Sequence, residues 1–192
     1  MPNLQEVYGI TNNHVAANLN NCNVGDEINR EDTGQPAGSL SHWVPLRTHS
    51  DNEKINEIDM ALIKMHPGDA LQWRMKDPNR TRPLGYLEPR QNGLVYMSDA
   101  AGLFREGRIT KTFTNHIMQF FLCGKPFLFS RLIEIRPVTD RTFSVAGNSG
   151  SVIMTSNHYI VGLLVGANSD GTRSYAVPFV EGILNYAPLS IL

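Results

Sequence analysis

Cysteine is scarce in this chain of 192 residues: Cys22 and Cys123 stand far apart, with neither CxxC nor Cys/His spacing. No disulfide framework and no structural zinc site is signalled. Two ordinary thiols are compatible with a reducing compartment such as the cytoplasm. Net charge is equally scarce, at -1 from 17 basic and 18 acidic residues that interleave along the chain. Such a balance leaves no electrostatic footprint for nucleic acid or an anionic membrane. No apolar run approaches the roughly 20 residues that a membrane-spanning helix needs, so the reading is a soluble protein. The opening MPNLQEVYGITNNHV lacks the charged and apolar regions of a secretory leader. It begins inside a strand pattern, and an upstream segment removed or never included would explain that.

What is present is mostly β-strand signal. Short segments rich in β-branched and aromatic residues recur between Gly, Asn, Asp and Pro: Val7 to Thr11, Met60 to Met65, Leu94 to Met97, Ile117 to Leu122, Leu132 to Ile135, Ser151 to Met154, Tyr159 to Val165 and Ser174 to Val177. The stretch Phe179 to Tyr186 differs. Val180, Ile183 and Leu184 fall at helical spacing with Pro188 just beyond, which predicts one short closing helix. Asn23 to Glu57 is polar and reads as loop, with one strand near Trp43 to Leu46. Pro67 to Arg82 is a second irregular stretch, carrying Asp77-Pro78 and Arg82-Pro83. A boundary between Leu84 and Gly93 divides the chain into residues 1–88 and 89–192.

Three local patterns carry chemistry. In Ile10-Thr11-Asn12-Asn13-His14-Val15, an apolar strand end runs into a histidine, whose near-neutral titration suits a general base. In Ile58-Asp59-Met60-Ala61-Leu62-Ile63, a carboxylate heads an apolar strand, and burying it is costly unless an imidazole or similar group faces it. In Gly147-Asn148-Ser149-Gly150-Ser151-Val152, glycines flank a serine and permit a tight turn in which backbone N–H groups converge. Each has an ordinary explanation when taken alone: a capping histidine, a turn aspartate, a hairpin turn. The serine string also departs from the G-x-S-x-G elbow, because Ser151 replaces its second glycine.

Taken in order, Thr-Asn-Asn-His-Val, Ile-Asp-Met-Ala-Leu-Ile-Lys and Gly-Asn-Ser-Gly-Ser-Val resemble the histidine, aspartate and serine boxes of trypsin-like peptidases, with the HtrA-type branch nearest in wording. Ile160 to Gly166 resembles that family's strand after the serine box, and Ser174-Tyr175-Ala176-Val177-Pro178 its closing segment. The resemblance implies an all-β fold of two antiparallel six-stranded β-barrels and a short C-terminal helix. It further implies a Ser149 nucleophile, a His14 base, an Asp59 orienter, and an oxyanion hole from the N–H groups of Gly147 and Ser149. No metal or organic cofactor is required, and the partner is a protein or peptide substrate. Phe143, Ser144, Val165 and Ala167 would lie near the primary specificity pocket, with Phe143 equally suited to core packing. With no acid among them, a small or medium apolar side chain is the expected preference.

Departures from the family pattern bear on function. Asn148 replaces the aspartate that animal enzymes pair with a new N-terminus, so activation by that ion pair is not expected. Only about ten residues precede the histidine box, fewer than a full first barrel uses. Either a segment is missing, or the first barrel is incomplete or finished by another polypeptide. No PDZ-like region follows the helix. A catalytically latent binding domain and a small-substrate esterase stand as rival functions on the same scaffold. His42, His49, His66, His116 and His158 lack ligand spacing and read as surface or loop residues. Arg105, Arg108 and Lys111 read as a solvated hairpin face, and the methionines as core.

Overall fold

Strands of period two, each with an apolar face, must bury that face against another layer. The computed structural model describes residues 6–30, 33–48, 54–66, 83–99, 102–114, 117–139 and 141–187. The irregular stretch from Pro67 to Arg82, together with Pro188, His49 and His116, lies outside these residues.

The first unit is a four-stranded antiparallel sheet made of β1 (Tyr8–Thr11), β2 (Glu27–Asn29), β3 (Pro36–Trp43) and β4 (Ala61–Met65), in the order β1-β4-β3-β2. Among the described residues this sheet does not close on itself. A single helical turn, α1 (Asn13–Ala16), follows β1. Two expectations are corrected here. The strand before the histidine ends at Thr11, as expected, but His14 lies beyond it in α1 and not at the strand end. The polar stretch after Asn23 holds two strands, and the second stops at Trp43 instead of beginning there. β3 reads PAGSLSHW and lacks β-branched residues, so its sequence hides it. Its glycine is nonetheless needed, since a Cβ on Gly38 would lie 2.2 Å from the Lys64 carbonyl oxygen.

The second unit contains β5 (Gly85–Tyr86), β6 (Leu94–Ser98), β7 (Phe104–Lys111), β8 (Met118–Leu122), β9 (Lys125–Phe129), β10 (Ile133–Pro137), β11 (Val152–Met154), β12 (Tyr159–Ala167) and β13 (Ser174–Pro178). Six of these close into a barrel, running β11-β6-β7-β10-β13-β12 and back through β12 to β11, while the short β5 adds parallel to β12. Val95, Met97, Ile109, Ile133, Ile135, Phe143, Ile153, Val161, Leu164 and Ala176 fill its interior. The closing helix, α2 (Phe179–Leu184), is of the wide i to i+5 type and buries Phe179 and Ile183.

The hairpin of β8 and β9 reaches back to the first unit, with bridges from Thr48 to Phe127 and from Asn56 to Phe129. It caps a larger apolar core that unites Met60 and Leu62 of the first unit with Phe120, Phe127, Leu163, Val165, Tyr175 and Phe179 of the second. β12 therefore buries both faces, Val161 and Leu164 toward the barrel interior and Leu163 and Val165 toward the core between the units. That explains its nearly unbroken apolar sequence. Among the described residues no helix is long and apolar enough to cross a membrane.

The basic cluster is corrected in part. Arg105 lies in β7 and is mostly buried, its guanidinium paired with Asp99 at 2.9 Å and donating to the Thr142 carbonyl at 3.2 Å.

Candidate active site

The histidine and aspartate, 45 positions apart, come together because β1 and β4 are adjacent antiparallel strands in which Thr11 faces Ala61. This register brings the end of β1 beside the start of β4. The chain leaves β1 into α1 on one side and arrives at β4 through Asp59 on the other. His14 Nδ1 lies 2.5 Å from Asp59 Oδ2, and the His14 backbone N–H donates to Oδ1 at 3.3 Å. Asp59 is fully buried and the His14 side chain is 10% exposed. A buried carboxylate holding one ring nitrogen fixes the imidazole with its other nitrogen available.

Asn12 supports this pair. Its buried side chain donates to the Asp59 carbonyl at 2.8 Å, and its backbone carbonyl accepts from Val15 and Ala16 at 3.3 and 3.0 Å. Its Oδ1 is buried with no hydrogen-bond partner among the described residues.

Ser149 sits in a turn between Phe143 and β11 that is fixed by its own polar groups. The buried Asn148 side chain accepts from the Val145 N–H at 3.0 Å, and the Asn148 N–H donates to the Val145 carbonyl at 3.1 Å. Gly147 and Gly150 have φ of +88° and +85°, the left-handed region that favours glycine. The N–H groups of Gly147 and Ser149 find no acceptor among the described residues, so both are available as donors.

The same turn packs against the histidine segment. A Cβ on Gly150 would fall 2.2 Å from the Thr11 Oγ1 side-chain atom, with the Asn12 nitrogen in ordinary contact at 3.5 Å, so glycine here suits both the positive φ and the Thr11 side chain. The serine hydroxyl itself faces elsewhere. Ser149 Oγ donates to the Val165 carbonyl at 2.9 Å, and no hydrogen bond joins it to His14 among the described residues. That carbonyl belongs to a bulge, since the pairing of β12 with β13 shifts register between Leu164 and Gly166.

The expected pocket residues divide. Phe143 is fully buried inside the second barrel. Its ring belongs to that core, the packing alternative held beside the pocket reading. The Val165 side chain is likewise buried, leaving its carbonyl as the group that reaches the site. Ser144 is buried with its hydroxyl 2.7 Å from that of Ser174, and Ala167 is partly exposed. Among the described residues no group of three or more His, Cys, Asp or Glu side chains could hold a metal ion.

Sequence reasoning passed over several polar residues around this site. Asn12 and Asn13 enter the sequence reading only as members of the histidine box, and Asn20 and Asn56 receive no role, since asparagine is ordinary in loops and turns. The only available signal was the density of asparagine on either side of His14.

Comparison with solved structures places the fold among the chymotrypsin-like serine proteases. Protease A of Thermobifida fusca matches with a TM-score of 0.67 at 16% identity, covering 98% of this chain and 86% of its own. The Nocardiopsis protease NAPase matches with a TM-score of 0.66 at 13% identity, covering 97% and 85%. The chymotrypsin of Cellulomonas bogoriensis matches with a TM-score of 0.61 at 16% identity, covering 95% and 84%. At these identities the likeness is one of fold. No protein-family model and no curated protein sequence matches the chain.

Proposed function

We propose that this chain is a serine endopeptidase with His14, Asp59 and Ser149 as its triad. The observation that carries the proposal is the pairing of His14 Nδ1 with the fully buried Asp59 carboxylate, beside a serine turn held against the same segment by Gly150. Residues 1–88 would supply base and orienter, and residues 89–192 the nucleophile and oxyanion donors.

In this reading Ser149 Oγ rotates off the Val165 carbonyl, and its proton passes to His14 Nε2 as Oγ adds to the substrate carbonyl carbon. The carbonyl π-electrons move to oxygen, where the N–H groups of Gly147 and Ser149 receive the charge. Collapse of the tetrahedral species breaks the C–N bond, and His14 returns its proton to the departing amine. Water then repeats the sequence on the acyl-enzyme, with His14 again accepting and returning a proton. Asp59 holds and orients the imidazolium.

The pocket reading retains Ser144 and Ala167 and the backbone of Val165. None of these is acidic, which favours a small or medium apolar side chain before the cut. Mass-spectrometric profiling of a peptide library tests both statements: the expected outcome is endoproteolytic cleavage after such residues, abolished by Ser149→Ala. Strong preference for Lys or Arg contradicts the pocket, and turnover of simple esters without any peptide contradicts the peptidase.

A second reading, a catalytically latent domain on the same scaffold, draws support from the Ser149 hydroxyl being engaged by Val165 and not by His14. Under it, peptides would bind without being cleaved.

A further inference from the structure

Between β3 and the bridge at Thr48, the chain runs through Val44-Pro45-Leu46-Arg47 with its peptide groups taken up largely by side-chain amides. Asn13 Nδ2 donates to the Val44 carbonyl at 2.7 Å. Asn20 grips both peptide groups of Leu46, with Nδ2 donating to the carbonyl at 2.6 Å and Oδ1 accepting from the N–H at 2.9 Å. Asn56 does the same to Arg47, accepting from its N–H and donating to its carbonyl, both at 2.9 Å. Pro45 has no N–H to satisfy. The Val44 N–H donates to the Met60 carbonyl at 3.0 Å.

The contacts lead back to the proposed triad, directly through Asn13 and Met60 and at one remove through Asn20 and Asn56. Asn13 precedes His14 and is fully buried, and it is locked to Asn20 by its Nδ2 on Asn20 Oδ1 at 2.7 Å and by the Asn20 N–H on its Oδ1 at 3.2 Å. Asn56 and Met60 bracket Asp59, so the Asp59 loop is tied to the same tetrapeptide at both ends. Asn56 also donates to the Leu128 carbonyl at 3.0 Å, joining the arrangement to the β8–β9 hairpin.

The backbone is strained to deliver Asn20. Asn18, Leu19 and Asn20 have φ of 45°, 55° and 69°, three successive residues in the left-handed region without a glycine. Strain of this kind persists only where surrounding contacts over-determine it, and it clusters at functional sites.

We infer that Val44–Arg47 is a splint, clamped by Asn13, Asn20 and Asn56, that sets the distance and angle between His14 and Asp59. The three asparagines are positioning residues: they touch neither nucleophile nor substrate and act through the peptide groups they hold. The consequence for turnover rests on the peptidase reading, whereas the geometry of the His14–Asp59 pair does not.

The test uses the full chain with Asn20→Gly, which accepts positive φ while deleting the amide, and Asn56→Asp, which keeps an acceptor but loses the donor. The first readout is the His14 Nδ1–H proton resonance in a Ser149→Ala background, assigned by its absence in His14→Ala. The second is kcat and KM on a cleaved peptide. Both variants are expected to move or broaden the resonance and to lower kcat by about tenfold or more with KM within about twofold. Ile109→Val, in the core of the other barrel, should change neither. Should Asn20→Gly fail to fold, Asn13→Ser takes its place.

Folded variants with an unmoved resonance and kcat within about twofold of the parent would overturn the splint. If the parent cleaves no peptide, the peptidase reading fails by itself, and the resonance still decides the splint.

Discussion

The two β units hold their geometry by different means. The second is a closed barrel in which hydrogen bonding runs round the ring and ten buried apolar residues fill the interior. The first is an open sheet of four strands whose own apolar cluster centres on Ala16, Ala17, Leu40 and Ala61. Its buried members are three alanines and a leucine, with Cys22, Ile28, Trp43 and Ile63 packed against them only partly buried, so it is a smaller and less enclosed core than the barrel's. Around His14 and Asp59 the task of holding an imidazole against a carboxylate falls to asparagine amides bonded to main chain. Packing is tolerant of shape but strong in sum, whereas amide pairs are weak singly and exact in direction. A site divided between the units, as proposed, would draw rigidity from both.

The sharpest way to probe that contrast is Asp59→Asn. It changes one buried atom in the thinly packed unit and presents a donor to His14 Nδ1, favouring the wrong tautomer. Peptide kcat is expected to fall on the order of 10⁴-fold while the far-UV dichroism stays native. Phe143→Ala probes the well-packed unit. Removing a fully buried ring should cost about 3–5 kcal/mol in urea unfolding, with a smaller loss from Leu40→Ala in the first sheet. Equal losses would break the comparison.

The seam between the units is tested by Gly150→Ala. The added methyl meets Thr11 Oγ1 at 2.2 Å in a backbone at φ +85°, so a loss of about 1–3 kcal/mol is expected. Adding Thr11→Ala should recover part of it, giving a non-additive double-mutant cycle.

The smallest effect concerns the outer face of the second barrel. Burial pushes the Glu134 carboxyl up, but the Thr110 hydroxyl and the charges of Lys111, Arg173 and Arg136 more than offset it and hold the carboxyl below its ordinary value. Its Oε2 has no hydrogen-bond partner among the described residues, yet Lys111 and Arg173 stand 3.6 Å away as ion pairs. A folded-state value below the unfolded one means stability that is fully present above about pH 4.3 and is lost as pH falls through the folded value. Urea midpoints should therefore drop less between pH 5 and acid in Glu134→Gln than in the parent.

The sequence made the strands rich in apolar, β-branched and aromatic residues legible, from β1 and β4 through β12 and β13. β7 escaped because FREGRITK carries charges at Arg105, Glu106, Arg108 and Lys111 and offers little apolar pattern, so its polar residues dominated the reading. β9 was hidden behind Lys125-Pro126, and its hairpin turn at Cys123 and Gly124, with φ of 49° and 77°, lacks the usual asparagine or aspartate. At the site, chain order brought His14, Asp59 and Ser149 into view together. Whether they meet depends on strand register and rotamers, which no local pattern encodes. The register of β1 on β4 settles the first contact, and the bulge at Val165 explains where the serine hydroxyl goes instead.

The most direct test of the central claim is labelling with a fluorophosphonate serine-hydrolase probe. The account predicts covalent labelling of the native chain that disappears in both Ser149→Ala and His14→Ala, since the reaction needs nucleophile and base together. A native chain that binds peptide but takes no label, or a label that survives loss of Ser149, would contradict it.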